Sequence, residues 1–104
     1  MATVRWTLGA RTEFEAIVQY LDLNSPVYAA SLHDRLLDAV DTLESFPRLG
    51  RVVPEYGVEA VRELIVDVYR LFYRIDENGV LVLAIFHGSR NILRLLGNNP
   101  WDIR

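Results

Sequence analysis

Arginine holds most of the chemical capacity of this chain: there are eleven basic residues, every one an arginine, among 104. A guanidinium offers a fixed fork of donors that matches the oxygens of a phosphate or a carboxylate. The absence of lysine carries no functional weight by itself, since genome base composition is enough to produce such a bias. Cysteine is absent and histidine occurs twice, at His33 and His87. A disulfide framework, a thiolate metal site and a cysteine nucleophile are therefore excluded. Two histidines far apart in sequence make a poor metal site, so no metal and no organic cofactor is expected. The net charge is -3, which argues against strong nonspecific nucleic-acid binding. The charge is unevenly spread, however. Residues 1–46 hold three arginines against seven acids, and residues 47–104 hold eight against seven. If the first part is helical and the second a sheet, positive potential gathers on the sheet side, suited to phosphate or an acidic partner.

These side chains need elements to position them. Residues 3–8 alternate, with Val4, Trp6 and Leu8 on one side, and predict a half-buried strand. Thr12 followed by Glu15 fits a capping box, and Phe14, Ile17, Val18 and Leu21 recur at helical spacing, so a first helix is expected over 11–23. Ser25-Pro26 starts a second helix, serine as cap and proline at the first position. Ala29, Leu32, Leu36, Val40 and Leu43 form its apolar stripe, and Pro47 ends it near Ser45. So short a link predicts an antiparallel helical hairpin. Residues 47–57 are punctuated by Pro47, Gly50, Pro54 and Gly57 and read as an ordered loop.

Three strand-like runs follow, over 60–66, 68–75 and 80–87. Asp76-Glu77-Asn78-Gly79 forms the hairpin turn between the last two. Tyr69, Leu71, Tyr73 and Ile75 are assigned to the helix-facing side of the middle run, with Arg70, Phe72 and Arg74 on the open side. The last run is apolar on both faces, as in a central strand covered on both sides. A short helical turn through Leu96, closed by Gly97, precedes a tail containing Trp101. The expected fold class is α+β, in the order β-α-α-β-β-β. A helical hairpin packs on one face of a small, mainly antiparallel sheet, in one domain spanning residues 1–104. Residues 1–8 lack a basic leader with an apolar core and no apolar run is long enough to span a bilayer. A cytoplasmic protein without a membrane partner is expected.

Several strings, in this order of elements, resemble the RelE/ParE toxin superfamily over nearly the whole chain. They are Ser25-Pro26, Phe46-Pro47-Arg48-Leu49-Gly50-Arg51, Arg62-Glu63-Leu64, Tyr69-Arg70-Leu71-Phe72-Tyr73 and His87-Gly88-Ser89-Arg90. The resemblance implies a toxin neutralised by a cognate antitoxin in a hetero-oligomer. It implies one of two activities: RelE-like members cut messenger RNA on the ribosome, whereas ParE-like members poison DNA gyrase. A degenerate toxin that only binds its antitoxin is a third reading.

RNA cleavage needs a base for the ribose 2′-hydroxyl, a cation for the crowded phosphate and a proton for the leaving oxygen. By resemblance, Arg70 and Arg90 match phosphate-stabilising arginines of RelE-like enzymes, and Arg62 stands where those enzymes place basic residues. The tyrosine those enzymes often carry after the second arginine is missing, since no tyrosine follows Tyr73. His87 and Glu63 are the candidate replacements, but neighbours Arg62 and Glu63 must point to opposite faces of a strand. The catalytic candidates of that reading are thus Arg62, Arg70, His87 and Arg90. Gyrase poisoning requires a recognition surface and no general base, and the residues favour it, with Arg62, Arg70, Arg74 and Arg90 as target-binding candidates. Plainer roles compete: Arg70 paired with Glu63 across strands, His87 as a hydrogen-bonded strand end, Arg90 solvated, Trp6 in the core and His33 on the surface. The antitoxin is expected in an apolar groove beside residues 14–43 or along a sheet edge, with Phe14, Val18, Leu36, Val40 and Trp101 as contacts.

Overall fold

The structure, a computed structural model, describes residues 1–98; Trp101 lies outside them. Its elements are β1 (Val4–Trp6), α1 (Leu8–Asp22), α2 (Pro26–Thr42), β2 (Arg51–Val52), β3 (Val61–Val66), β4 (Tyr69–Asp76), β5 (Gly79–His87) and α3 (Ile92–Leu96). They form a five-stranded sheet in the order β1-β5-β4-β3-β2. The pair β1–β5 is parallel and the others are antiparallel. The architecture is the expected α+β one, with α1 and α2 on one face and a short helix α3 after the last strand. The expected plan lacked β2, which is two residues long and carries no periodic signal.

The first helix starts three residues earlier than its sequence suggests. Thr7, not Thr12, is the cap: its hydroxyl accepts from the Ala10 amide at 3.0 Å and donates to the Leu83 carbonyl at 3.2 Å. Leu8 therefore opens the helix and is 81% exposed instead of extending the alternation of β1. Tertiary anchoring of Thr7 to the central strand outweighs the local capping box. Pro26 occupies the first turn of α2 as expected, but the Ser25 side chain makes no cap hydrogen bond. That helix ends at Thr42 and turns through residues 43–45.

The alternation along β4 is as expected, and it separates two cores. Tyr69, Leu71 and Tyr73 pack under the helices with Phe14, Leu32, Leu36 and Val40. Phe72 packs on the far face with Val53, Val61, Leu81 and Phe86. The register between β4 and β5 shifts between Phe72 and Tyr73, leaving Leu83 as an extra residue opposite them. That bulge resets the side-chain alternation. Val80, Val82 and Ile85 face the helices, while Leu81, Leu83, Ala84 and Phe86 face away.

The far face is not open, contrary to the assignment of Arg70 and Arg74 to an open side, whereas β5 is covered on both faces as expected. Val53, Tyr56 and Val58 from the loop after β2, together with Ile92, Leu95 and Leu96 of α3, cover it. The Tyr73 hydroxyl fixes the turn that leads into β2, donating to the Pro47 carbonyl at 2.7 Å and accepting from the Gly50 amide at 2.9 Å. Gly50 is required there, because a Cβ would lie 2.4 Å from the Glu63 carbonyl oxygen.

Candidate functional site

The arginines expected to share one face are divided by the pleat. Arg62 shares the helix-side face of β3 with Leu64 and Val66. There its guanidinium donates to the carbonyls of Glu59 and Gly50 at 3.1 and 2.9 Å and pairs with the Glu59 carboxylate. Glu63, one residue on, faces the other way, as strand geometry requires. Arg70 and Arg74 lie on that far face, and Arg74 is paired with Asp76 at 3.1 Å. Arg62 therefore joins no common pocket with Arg70.

Arg70 sits at the centre of a closed charge cluster. Its Nε and NH2 donate to Glu63 at 2.7 and 2.9 Å, and its NH1 and NH2 donate to Glu55 at 2.8 and 2.9 Å. Four of the five donors of a guanidinium are thereby engaged. The ring of Phe72 lies 5.0 Å beneath the cation, a favourable cation–π position. Glu63 is 1% exposed and also accepts from Arg51 Nε at 3.2 Å. A buried carboxylate with two cations on it is not a base that a substrate hydroxyl can reach. The hydrogen bonds that Arg70 donates to Glu55 and Glu63 raise its proton affinity despite its burial. The same contact with Arg70 holds the Glu55 carboxyl below its ordinary range.

His87 is on the opposite side from Arg70. It pairs with Tyr69 across the sheet, and its ring meets the Tyr69 ring edge-on at 5.9 Å. Its Nδ1 accepts from the Ser89 amide at 3.1 Å and lies 2.7 Å from the Ser89 hydroxyl. An amide pointing at Nδ1 leaves the proton of the neutral ring on Nε2. Neutral His87 therefore offers no vacant lone pair for a 2′-hydroxyl proton. Arg90 is exposed beyond this turn. Its charge opposes the effect of burial on Glu13, whose carboxyl is nonetheless raised above its ordinary range while accepting from the Ile85 amide at 3.2 Å.

A groove does run beside the helical hairpin. Trp6, Phe14, Val18 and Leu37 give it an apolar lining, with Arg11, Glu15, Gln19 and His33 among the polar ones. Trp6 packs on Phe14 with ring centroids 5.6 Å apart, and His33 stacks on the same ring at 5.3 Å. Trp6 is thus half-buried groove wall and not interior core. Two of the expected antitoxin contacts are corrected: Leu36 is 0% and Val40 2% exposed, because both lie on the α2 stripe that seals the core. Leu37, the next residue on, faces the groove instead. Sequence reasoning also missed Glu55, whose loop has no period from which to infer its partner.

Comparison with known proteins agrees with this architecture. Residues 4–92 match the family described as the ParE toxin of the type II toxin-antitoxin system, parDE. "Toxin RelE2" of Caulobacter vibrioides is 33% identical over 91 residues, covering 86% of this chain and 99% of the relative. "Putative toxin Y4kP" of Sinorhizobium fredii is 34% identical over 89 residues, covering 84% and 88%. Among solved structures, a chain of the chromosomal ParDE TA system from P. aeruginosa superposes with a TM-score of 0.69 at 21% identity. The match covers 84% of this chain and 96% of that one. A chain of the toxin-antitoxin complex RelBE2 from Mycobacterium tuberculosis gives 0.57 at 24% identity, covering 83% and 96%. The chain belongs to the ParE toxin family of type II toxin–antitoxin systems, within the RelE/ParE superfamily.

Proposed function

We propose that this toxin arrests growth by poisoning DNA gyrase and is neutralised by a cognate antitoxin. The observation that carries the choice of target is the separation of Arg70 from His87 across the sheet. The candidate phosphate-binding cation and the candidate base face opposite sides, Glu63 is buried between two arginines, and no tyrosine follows Tyr73. Phosphodiester cleavage needs those groups converging on one set of reacting atoms, whereas holding a cleaved-DNA complex needs only a complementary surface. The ParE family match leans the same way.

The antitoxin reading rests on the groove lined by Trp6, Phe14, Val18 and Leu37. Apolar anchors at helical spacing on a partner segment would fill it, the helix-in-groove mode of recognition. The ordering of a disordered antitoxin tail on that surface would supply the coupling of folding to binding.

A second reading is ribosome-dependent cutting of messenger RNA, favoured by the 33% identity with a relative named RelE2. Purified toxin assayed for gyrase-dependent DNA cleavage, and in parallel for messenger RNA cutting in a translating extract, separates the two. Gyrase-linked breaks with intact messenger RNA are expected. Ribosome-dependent cutting overturns the gyrase reading, and silence in both assays leaves a module that only binds its antitoxin.

A further inference from the structure

The groove beside the helical hairpin carries two charges that the folded chain leaves unused. On α1, Phe14 and Val18 stand one turn apart in the apolar wall, and Arg11, Glu15 and Gln19 form the neighbouring row at the same step. Arg11 and Glu15 are both exposed. Neither has an ion-pair partner among the described residues. Arg5, Arg35 and Arg48 are also exposed, yet each pairs with a carboxylate, at 3.5, 3.8 and 2.6 Å. On the α2 side of the groove, His33 is engaged with Asp34 at 3.1 Å and stacked on Phe14.

Local stereochemistry does not account for Arg11 and Glu15. Arg11 is the fourth residue of α1, near the positive end of the helix dipole, where an acid is the stabilising choice. An arginine placed four residues before a glutamate is also the weaker orientation of such a pair. Exchanging the two would improve both interactions without altering composition. The order therefore answers to something outside the helix. An apolar wall attracts any apolar stripe of the right width, but burial is non-directional and does not fix which residue meets which. Charges at the border of an interface fix register, and they reject wrong partners by like-charge juxtaposition.

We infer that Arg11 and Glu15 set the register and direction of the antitoxin helix in this groove, by matching an acidic and a basic side chain one turn apart on that helix. The inference rests on the reading of the groove as the antitoxin site. The partner's apolar stripe packs on Phe14 and Val18, its acid lies against Arg11 and its base against Glu15. An antitoxin with those charges in the opposite order meets like charges at both positions.

Titration calorimetry of the full chain against its purified cognate antitoxin tests this with the combined Arg11→Glu and Glu15→Arg variant. The exchange leaves the net charge at -3, so general electrostatic attraction is unchanged. The variant should bind at least about tenfold more weakly at low salt, and the gap should narrow as salt rises. Free of antitoxin it should melt no lower than the parent, because the exchange favours the helix. A lower melting temperature would show that the pair serves the fold and overturns the inference. Antitoxin variants selected to restore binding should carry reversed charges at two positions one turn apart; restoration through apolar substitutions alone overturns it. Sedimentation showing a parent dimer that the exchange dissolves gives the groove to a second copy of the chain, with the same consequence. Val18→Asp keeps the two readings apart. Its loss of affinity beside a fully active exchange variant removes the register alone, whereas parent-like binding by both removes the groove as well.

Discussion

Arg70 and Glu63 form a two-pronged ion pair across neighbouring strands, at 2.7 and 2.9 Å, with the carboxylate fully buried and the guanidinium side chain only 11% exposed. The partners are offset diagonally, since Arg70 stands directly opposite Ile65 and Glu63 opposite Phe72. Glu55 closes the pair from the solvent side and so fastens the loop after β2 to the sheet. Arg70→Ala should therefore destabilise the fold by about 3–5 kcal/mol, because a buried carboxylate loses its main partner. Urea denaturation measures this; an unchanged midpoint would show that the cluster adds nothing to stability.

Tyr73 makes a second prediction. Its hydroxyl is both donor and acceptor for the Pro47–Gly50 turn, so Tyr73→Phe strands a carbonyl and an amide together. A loss of about 1–3 kcal/mol is expected, with faster amide exchange at Gly50 as its local signature. Protection at Gly50 equal to the parent's would count against the anchor.

At Gly50 itself, an added Cβ would lie 2.4 Å from the Glu63 carbonyl oxygen and 2.7 Å from the Tyr73 hydroxyl. Backbone cannot retreat as a flexible side chain can. Gly50→Ala should destabilise by about 1–3 kcal/mol, and the Phe46-to-Arg51 string is conformationally constrained at this residue. A parent-like melting temperature would contradict the geometry.

Two carboxylates give opposite pH dependences. Glu55 is held below its ordinary value of 4.5 by Arg70. Its contribution is complete above that value and is lost as pH falls through the lower folded one. Glu13 is raised above 4.5, chiefly by burial, so its ionisation opposes folding as pH rises above that value. Glu13→Gln retains an acceptor for the Ile85 amide and should melt higher than the parent at pH 7. The advantage should shrink as the pH is lowered towards 4.5, and an advantage that grows in acid would reverse the assignment.

The groove can be tested at its half-buried wall. Val18 is half-buried in its wall, and Val18→Asp would place an unpaired charge against an apolar partner. Titration calorimetry with the cognate antitoxin should show at least about a tenfold loss, near 1.4 kcal/mol, with the toxin still folded by circular dichroism. Full affinity would move the antitoxin to another surface.

Much of this molecule was legible in its residues. Proline at the start of α2, the three- and four-residue stripe from Ala29 to Leu43, the alternation of β4 and the Asp76–Gly79 turn each follow from local stereochemistry. Those local rules determine the order of elements and the division of Tyr69, Leu71 and Tyr73 from Arg70, Phe72 and Arg74. Family strings spread through those elements were equally readable.

Only the tertiary structure decided what the charges face. The anchoring of Thr7 on Leu83, in a strand remote in sequence, moved the start of α1, and the bulge at Leu83 in the pairing with β4 reset β5. Glu55 reached Arg70 from a loop without a repeat, turning an apparently open arginine face into a closed ion-pair cluster. Periodicity tells which side of an element a residue occupies. It contains no information about which distant segment covers that side, and ion pairing depends on that covering.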